Sequence, residues 1–230
     1  PMQVGLAGSS AIITATLRCL LEFYNVEMPL AAQPSFVLCV ETEELGIAAG
    51  LQDRVIQCYE GLVYMDFGMD QEHTVAGLPA YTYEPLPTDW LPPLYVAYHA
   101  ALSEPTETFH NDIRGRYNRG EPQVVEAMAR FAELAAQGRD ALLHRDEDGL
   151  HRLIDANFDL RCTIYNLPAW QVKMVETARA CGASAKFAGS GGAIVGLYRD
   201  PAMLDVLRRR LAPLGCQVLT PQIHADSSDR

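Results

Sequence analysis

The sequence has no CxxC pair, no HExxH spacing and no GxxxxGK[ST] loop, and Arg18 and Glu22 interrupt its longest apolar candidate well before the ~18 residues a membrane helix needs. A zinc ribbon, a metalloprotease helix, a Walker-type nucleotide site and a membrane partner are therefore not expected. Cations are scarce as well. Eighteen Lys and Arg against 29 Asp and Glu leave a net charge of −11, so the surface repels polyanions and a nucleic-acid partner is not expected. Net charge does not decide against a small phosphorylated ligand, because backbone amides and helix N-termini supply positive potential locally. The six cysteines, Cys19, Cys39, Cys58, Cys162, Cys181 and Cys216, are scattered. They are expected to be reduced and mostly buried, as in a cytoplasmic protein.

What is present fits an ordinary globular chain. Of 230 residues, 49% are hydrophobic and 20% charged, enough for one large or two packed domains. Ser9 or Ser10 is a candidate N-cap for a helix reaching Tyr24, with Ile12, Ile13, Thr16, Leu17, Leu20 and Leu21 as its apolar face. Two helical runs, about 35–45 and 52–59, are separated by Gly46 and Gly50. Strands are expected at 62–67, 80–86 and 94–99, arranged as a meander, with a Pro-rich connection at 85–93 as domain boundary. Helices follow from Pro122 to about 158 and from Pro168 to about 181. Strands at 183–187 and 193–198 flank a glycine turn, then come a helix opened by Pro201, a strand at 216–220 and a polar tail. The order of elements is α+β.

Three stretches could carry chemistry. Gly5, Leu6, Ala7, Gly8, Ser9, Ser10 and Ala11 let main-chain amides approach an anion at a helix N-terminus, or simply turn the chain into a helix. Glu41 and Asp53, twelve positions apart across Gly46 and Gly50, supply two carboxylates for metal-assisted phosphoryl transfer, or a solvated helix face and a helix-start carboxylate. Gly189, Ser190, Gly191 and Gly192, after Lys186, admit a close approach of backbone or ligand, or form an ordinary hairpin.

Taken together and in this order, the three stretches resemble the GHMP small-molecule kinases. Residues 1–11 look like that family's second signature and 186–193 like its third. GIAAGLQDRVIQCYEGLVYMD at 46–66 and AKFAGSGGA at 185–193 are similar to its plant-type glucuronokinase branch.

The resemblance implies a GHMP kinase-like two-layer α+β fold. An N-terminal domain, 1–88, carries the phosphate-loop helix and lacks its first strands, a ferredoxin-like C-terminal domain spans 89–223, and a tail covers 224–230. The chain opens at Pro1 with nothing to match the family's first signature, so an incomplete enzyme is expected. The resemblance also implies ATP and Mg2+ as cofactors. The loop from Gly5 to Ala11 and the turn from Gly189 to Gly192 would bind nucleotide, Ser10 and Glu41 would hold the metal, and Asp53 would take the proton of a sugar hydroxyl. Arg54 or Arg114 would meet a glucuronate carboxylate, since guanidinium pairs with it bidentately. Ala7 stands where many relatives have glycine. The expected activity is phosphorylation of the anomeric hydroxyl of D-glucuronate. The alternatives are another sugar kinase, galactokinase-like, or a non-catalytic nucleotide-binding protein.

Overall fold

The computed structural model describes residues 6–47, 49–99 and 107–223, with only the backbone at 107–112. Gly5 and the tail at 224–230 lie outside the described residues. The chain divides into two compact units, Ala7–Asp89 and Trp90–Gln222, with Leu6 in the second and Ile223 in the first.

In the first unit α1 (Gly8–Tyr24), α2 (Gln33–Cys39) and α3 (Leu51–Tyr59) pack on one another. The α1 face turned inward is Ser10, Thr14 and Leu17, spaced i, i+4, i+7. Of the apolar stripe read from the sequence Leu17 alone is buried, while Ile12 and Leu20 are 70% and 48% exposed. Arg18 ties α1 to the end of α3, its guanidinium 2.6 Å from Glu60 and donating to the carbonyls of Gln57 (2.9 Å) and Cys58 (3.0 Å). Strand β1 (Leu62–Asp66) pairs antiparallel with β4 (Thr82–Leu86), and between them β2 (His73–Val75) and β3 (Leu78–Ala80) form a small hairpin. The expected meander is therefore corrected. Strand β5 (Leu94–His99) does not pair with β4 but belongs to the second unit.

In that unit the order runs β5, α4 (Glu107–Asn118), α5 (Pro122–Leu143), α6 (Glu147–Ile164), α7 (Ala169–Arg179), β6 (Lys186–Phe187), β7 (Ala193–Leu197), α8 (Pro201–Leu211) and β8 (Cys216–Leu219). The antiparallel sheet has strand order β6-β7-β5-β8. Without the α4–α6 insertion this is β-α-β-β-α-β, the ferredoxin-like arrangement the sequence suggested. Tyr95 and Ala97, alternating on β5, and Phe187 and Ile194 meet Phe158 of α6, Met174 and Val175 of α7 and Leu207 and Leu211 of α8 in one core. Gly196 has no room for a side chain, because a Cβ there would sit 1.7 Å from the Ser184 carbonyl oxygen. Pro201 is the first residue of α8, and Asp200 caps it by accepting from the Met203 amide at 2.8 Å.

The region around Arg114, Arg116 and Arg119 is mostly helix α4. Arg116 is a structural tie, donating to Glu121 at 2.6 and 2.9 Å and to the Ile164 carbonyl at 2.7 Å. Only Cys58 and Cys216 of the six free thiols are buried, and Cys19 and Cys162 are exposed, which corrects the expectation of mostly buried cysteines. Among the described residues no helix is long and apolar enough to cross a membrane.

Candidate active site

The N-terminal unit gathers three of the expected residues, Ser9, Asp53 and Arg54, around a fourth, the buried carboxylate of Glu41. Helix α2 continues into a π-helical turn, Val40–Glu44, closed by the Leu45 amide on the Val40 carbonyl (3.2 Å). Such a widened turn re-aims a side chain, and here Glu41 is completely buried. Its Oε1 accepts from Ser9 Oγ at 3.0 Å, and its Oε2 lies 2.5 Å from both Nε and Nη2 of Arg54. Arg54 sits in the first turns of α3 and reaches back, Nη1 donating to the Gly50 carbonyl at 3.0 Å. The same Nη1 is 3.4 Å from Asp53 Oδ2. The Asp53 side chain is 42% exposed, so it is the carboxylate of the group that solvent reaches.

The N-terminus of α1 completes the group. Ala7 precedes the helix in a left-handed conformation (φ 54, ψ 39), and the amides of Gly8, Ser9 and Ser10 open the helix, where intrahelical acceptors are lacking. Neither serine is the expected N-cap. Ser9 turns to Glu41, and Ser10, fully buried, donates its hydroxyl to the Ala7 carbonyl at 3.0 Å.

The third stretch lies in the other unit. Between β6 and β7 the chain turns through Gly189, Ser190, Gly191 and Gly192, with φ of 149° at Gly191 and 81° at Gly192. A Cβ on Gly191 would meet Gln171 Oε1 at 2.4 Å, and its φ of 149° strains any residue that carries a Cβ, so the position favours glycine.

Residues 1–61 match the GHMP kinases N terminal domain, and residues 139–213 match the GHMP kinases C terminal family. The chain belongs to the GHMP kinases. Glucuronokinase 1 of Arabidopsis thaliana is 44% identical over 200 residues, 85% of this chain and 54% of that protein. Probable glucuronokinase 2 of the same plant is 45% identical over 201 residues, with the same shares. The chain thus spans about half the length of the curated relatives it matches. Lactococcus lactis galactokinase, solved with galactose, shares the fold at a TM-score of 0.76 and 15% identity, covering 98% of this chain and 67% of that one.

Two of the expected roles fall on side chains of this chain that are already engaged. Magnesium on Ser10 and Glu41 does not fit the pair as they stand. The donors are hard oxygens of the kind magnesium takes, yet Ser10 is turned into its own helix and both Glu41 oxygens are held, by Ser9 and by Arg54. Arg54 is likewise committed: at 5% side-chain exposure it neutralises Glu41 rather than presenting a cation to a substrate carboxylate. Arg114 is exposed on α4 in the C-terminal unit.

The sequence reading gives Arg54 to a substrate carboxylate and does not pair it with Glu41, because the two are thirteen positions apart on different elements. The one available signal was the helical position of Arg54, which places its long side chain beside the residues just before α3.

Proposed function

We propose that this chain carries out ATP-dependent phosphorylation of an alcohol group, with D-glucuronate as acceptor and its 1-phosphate as product, in the cytoplasm. The observation that carries the reading is the cluster itself. A solvent-reached carboxylate, Asp53, is held beside a buried Glu41–Arg54 pair that is tied through Ser9 to the N-terminus of a 17-residue helix. The amides at that N-terminus, around Leu6 to Ser10, suit nucleotide phosphates. Asp53 accepts the proton of the sugar hydroxyl, or orients it, as the phosphoryl group is transferred. Gly189 to Gly192 is read as a nucleotide contact made from its own unit. Free thiols throughout are consistent with a reducing compartment. The choice of glucuronate leans on the names of the two plant relatives. ATP brings magnesium in this reading, while the transfer above uses only groups of this chain.

The test is coupled ADP release with ATP and magnesium over glucuronate, galacturonate, galactose and mevalonate. Selective turnover of glucuronate is expected. Asp53→Asn should fold and lose roughly 10²–10⁴ in kcat, the usual contribution of a positioned base, and near-normal turnover by this variant would remove Asp53 from that role. Because the chain spans 54% of its curated relatives, a second reading is nucleotide binding without transfer. ATP binding with no ADP release from any acceptor would decide for it.

A further inference from the structure

The glycine turn of the C-terminal unit is held from behind by a residue that no motif singles out. Arg161, on α6, donates from Nη1 to the Gly189 carbonyl at 3.2 Å and from Nη2 to the Ser190 carbonyl at 3.1 Å. A third carbonyl of the turn, that of Gly192, accepts from the His99 amide of β5 at 3.2 Å. The guanidinium lies over the rings of Tyr165 (4.6 Å) and Phe187 (5.1 Å), and among the described residues no carboxylate pairs with it. A half-buried cation held by carbonyl oxygens and aromatic faces, its Nε buried without a hydrogen-bond partner, is an uncommon arrangement for arginine, whose fork usually finds a carboxylate.

The consequence follows from peptide geometry. Among the described residues no peptide bond is cis, so each N–H points opposite the C=O of its own peptide unit. Drawing the Gly189 and Ser190 carbonyls to Arg161 aims the Ser190 and Gly191 amides the other way, as successive N–H groups are aimed in an anion-binding nest. We propose that Arg161 is a positioning residue that fixes these amides toward a nucleotide phosphate without touching the nucleotide itself. This inference rests on the nucleotide-binding reading above.

The experiment measures the affinity of the whole 230-residue chain for ATP and for adenosine by calorimetry, with adenosine read by competition where it is weak. Arg161→Met should weaken ATP about tenfold, since two anion-facing amides lose their fixed direction, and leave adenosine within about twofold. Arg161→Lys keeps the charge and loses the fork, so it should fall between the two and provides the readout if Arg161→Met fails to fold. Equal losses for ATP and adenosine would mean a merely structural role, and unchanged ATP affinity in a folded variant would equally overturn the proposal. If the unaltered chain binds no ATP at all, the nucleotide reading fails first and this proposal with it.

Discussion

The Glu41–Arg54 pair sets the sharpest test of the N-terminal unit. Glu41 is completely buried and the Arg54 side chain 5% exposed. Three of the guanidinium nitrogens are used: Nε and Nη2 on Glu41, and Nη1 on the Gly50 carbonyl and toward Asp53. Arg54→Met keeps most of the volume but leaves a buried carboxylate with only the Ser9 hydroxyl, at a cost of about 3–5 kcal/mol. Glu41→Gln keeps an acceptor for the guanidinium while removing the charge, and should cost about 1.5–3 kcal/mol. In the double variant the penalty of one stranded charge disappears, so its cost should fall short of the sum of the singles by about 2–3 kcal/mol. Urea unfolding by far-ultraviolet circular dichroism measures all three variants against the parent, with the midpoint shifting and the slope unchanged. Both tryptophans, Trp90 and Trp170, belong to the C-terminal unit, so their fluorescence monitors that unit separately. Singles within about 0.5 kcal/mol of the parent, or strictly additive ones, would refute the claim that these groups are a coupled buried pair.

Two further outcomes are expected. Ala7 holds φ 54 and ψ 39, a conformation that costs a residue with a Cβ about 1–2 kcal/mol. Ala7→Gly should therefore stabilise the chain by roughly 1 kcal/mol net of the greater freedom of glycine when unfolded, and a lower melting temperature would contradict the strain. Burial, and secondarily the charge of Arg161, pull the half-buried Lys186 amine down from 10.5 to about 8. Its folded value lies below its unfolded one, so the unfolded chain binds more protons between pH 8 and 10.5. Stability from this group therefore rises with pH through that window and is lowest below pH 8, by at most about 3 kcal/mol. Lys186→Met should be more stable than the parent at pH 7 and should lose that advantage by pH 10.5, whereas parallel stability curves would dismiss the effect.

Much of the C-terminal unit was legible because its signals are local. Pro201 and Pro168 mark helix starts, glycines separate β6 from β7, and alternation on β5 survives as Tyr95 and Ala97 facing the core. The N-terminal unit was read less well because there the decisive pattern is polar. Ser10 and Thr14 with Leu17, not the isoleucines, are what α1 buries. A hydrophobic-periodicity argument cannot find a face on which two of the three buried residues are polar. The meander failed for a different reason. Strand pairing is a non-local choice, and nothing in residues 80–99 says that β5 finds β7 and β8 rather than β4.

The site shows the same limit. Spacing was enough to nominate Glu41 and Asp53, since glycines between two helical runs allow the chain to fold back, but spacing is silent on which carboxylate stays exposed. Burial decides that. An isolated carboxylate cannot be taken fully out of water without a partner, and the π turn drives Glu41 inward, so a cation had to come from a neighbouring element. Arg54, one turn into α3, is the cation within reach, and by answering Glu41 it leaves Asp53 as the carboxylate of the pair open to solvent. One guanidinium thus divides two similar acids into a fixed anchor and a carboxylate that solvent reaches, and the proposed chemistry depends on that division more than on the presence of either acid.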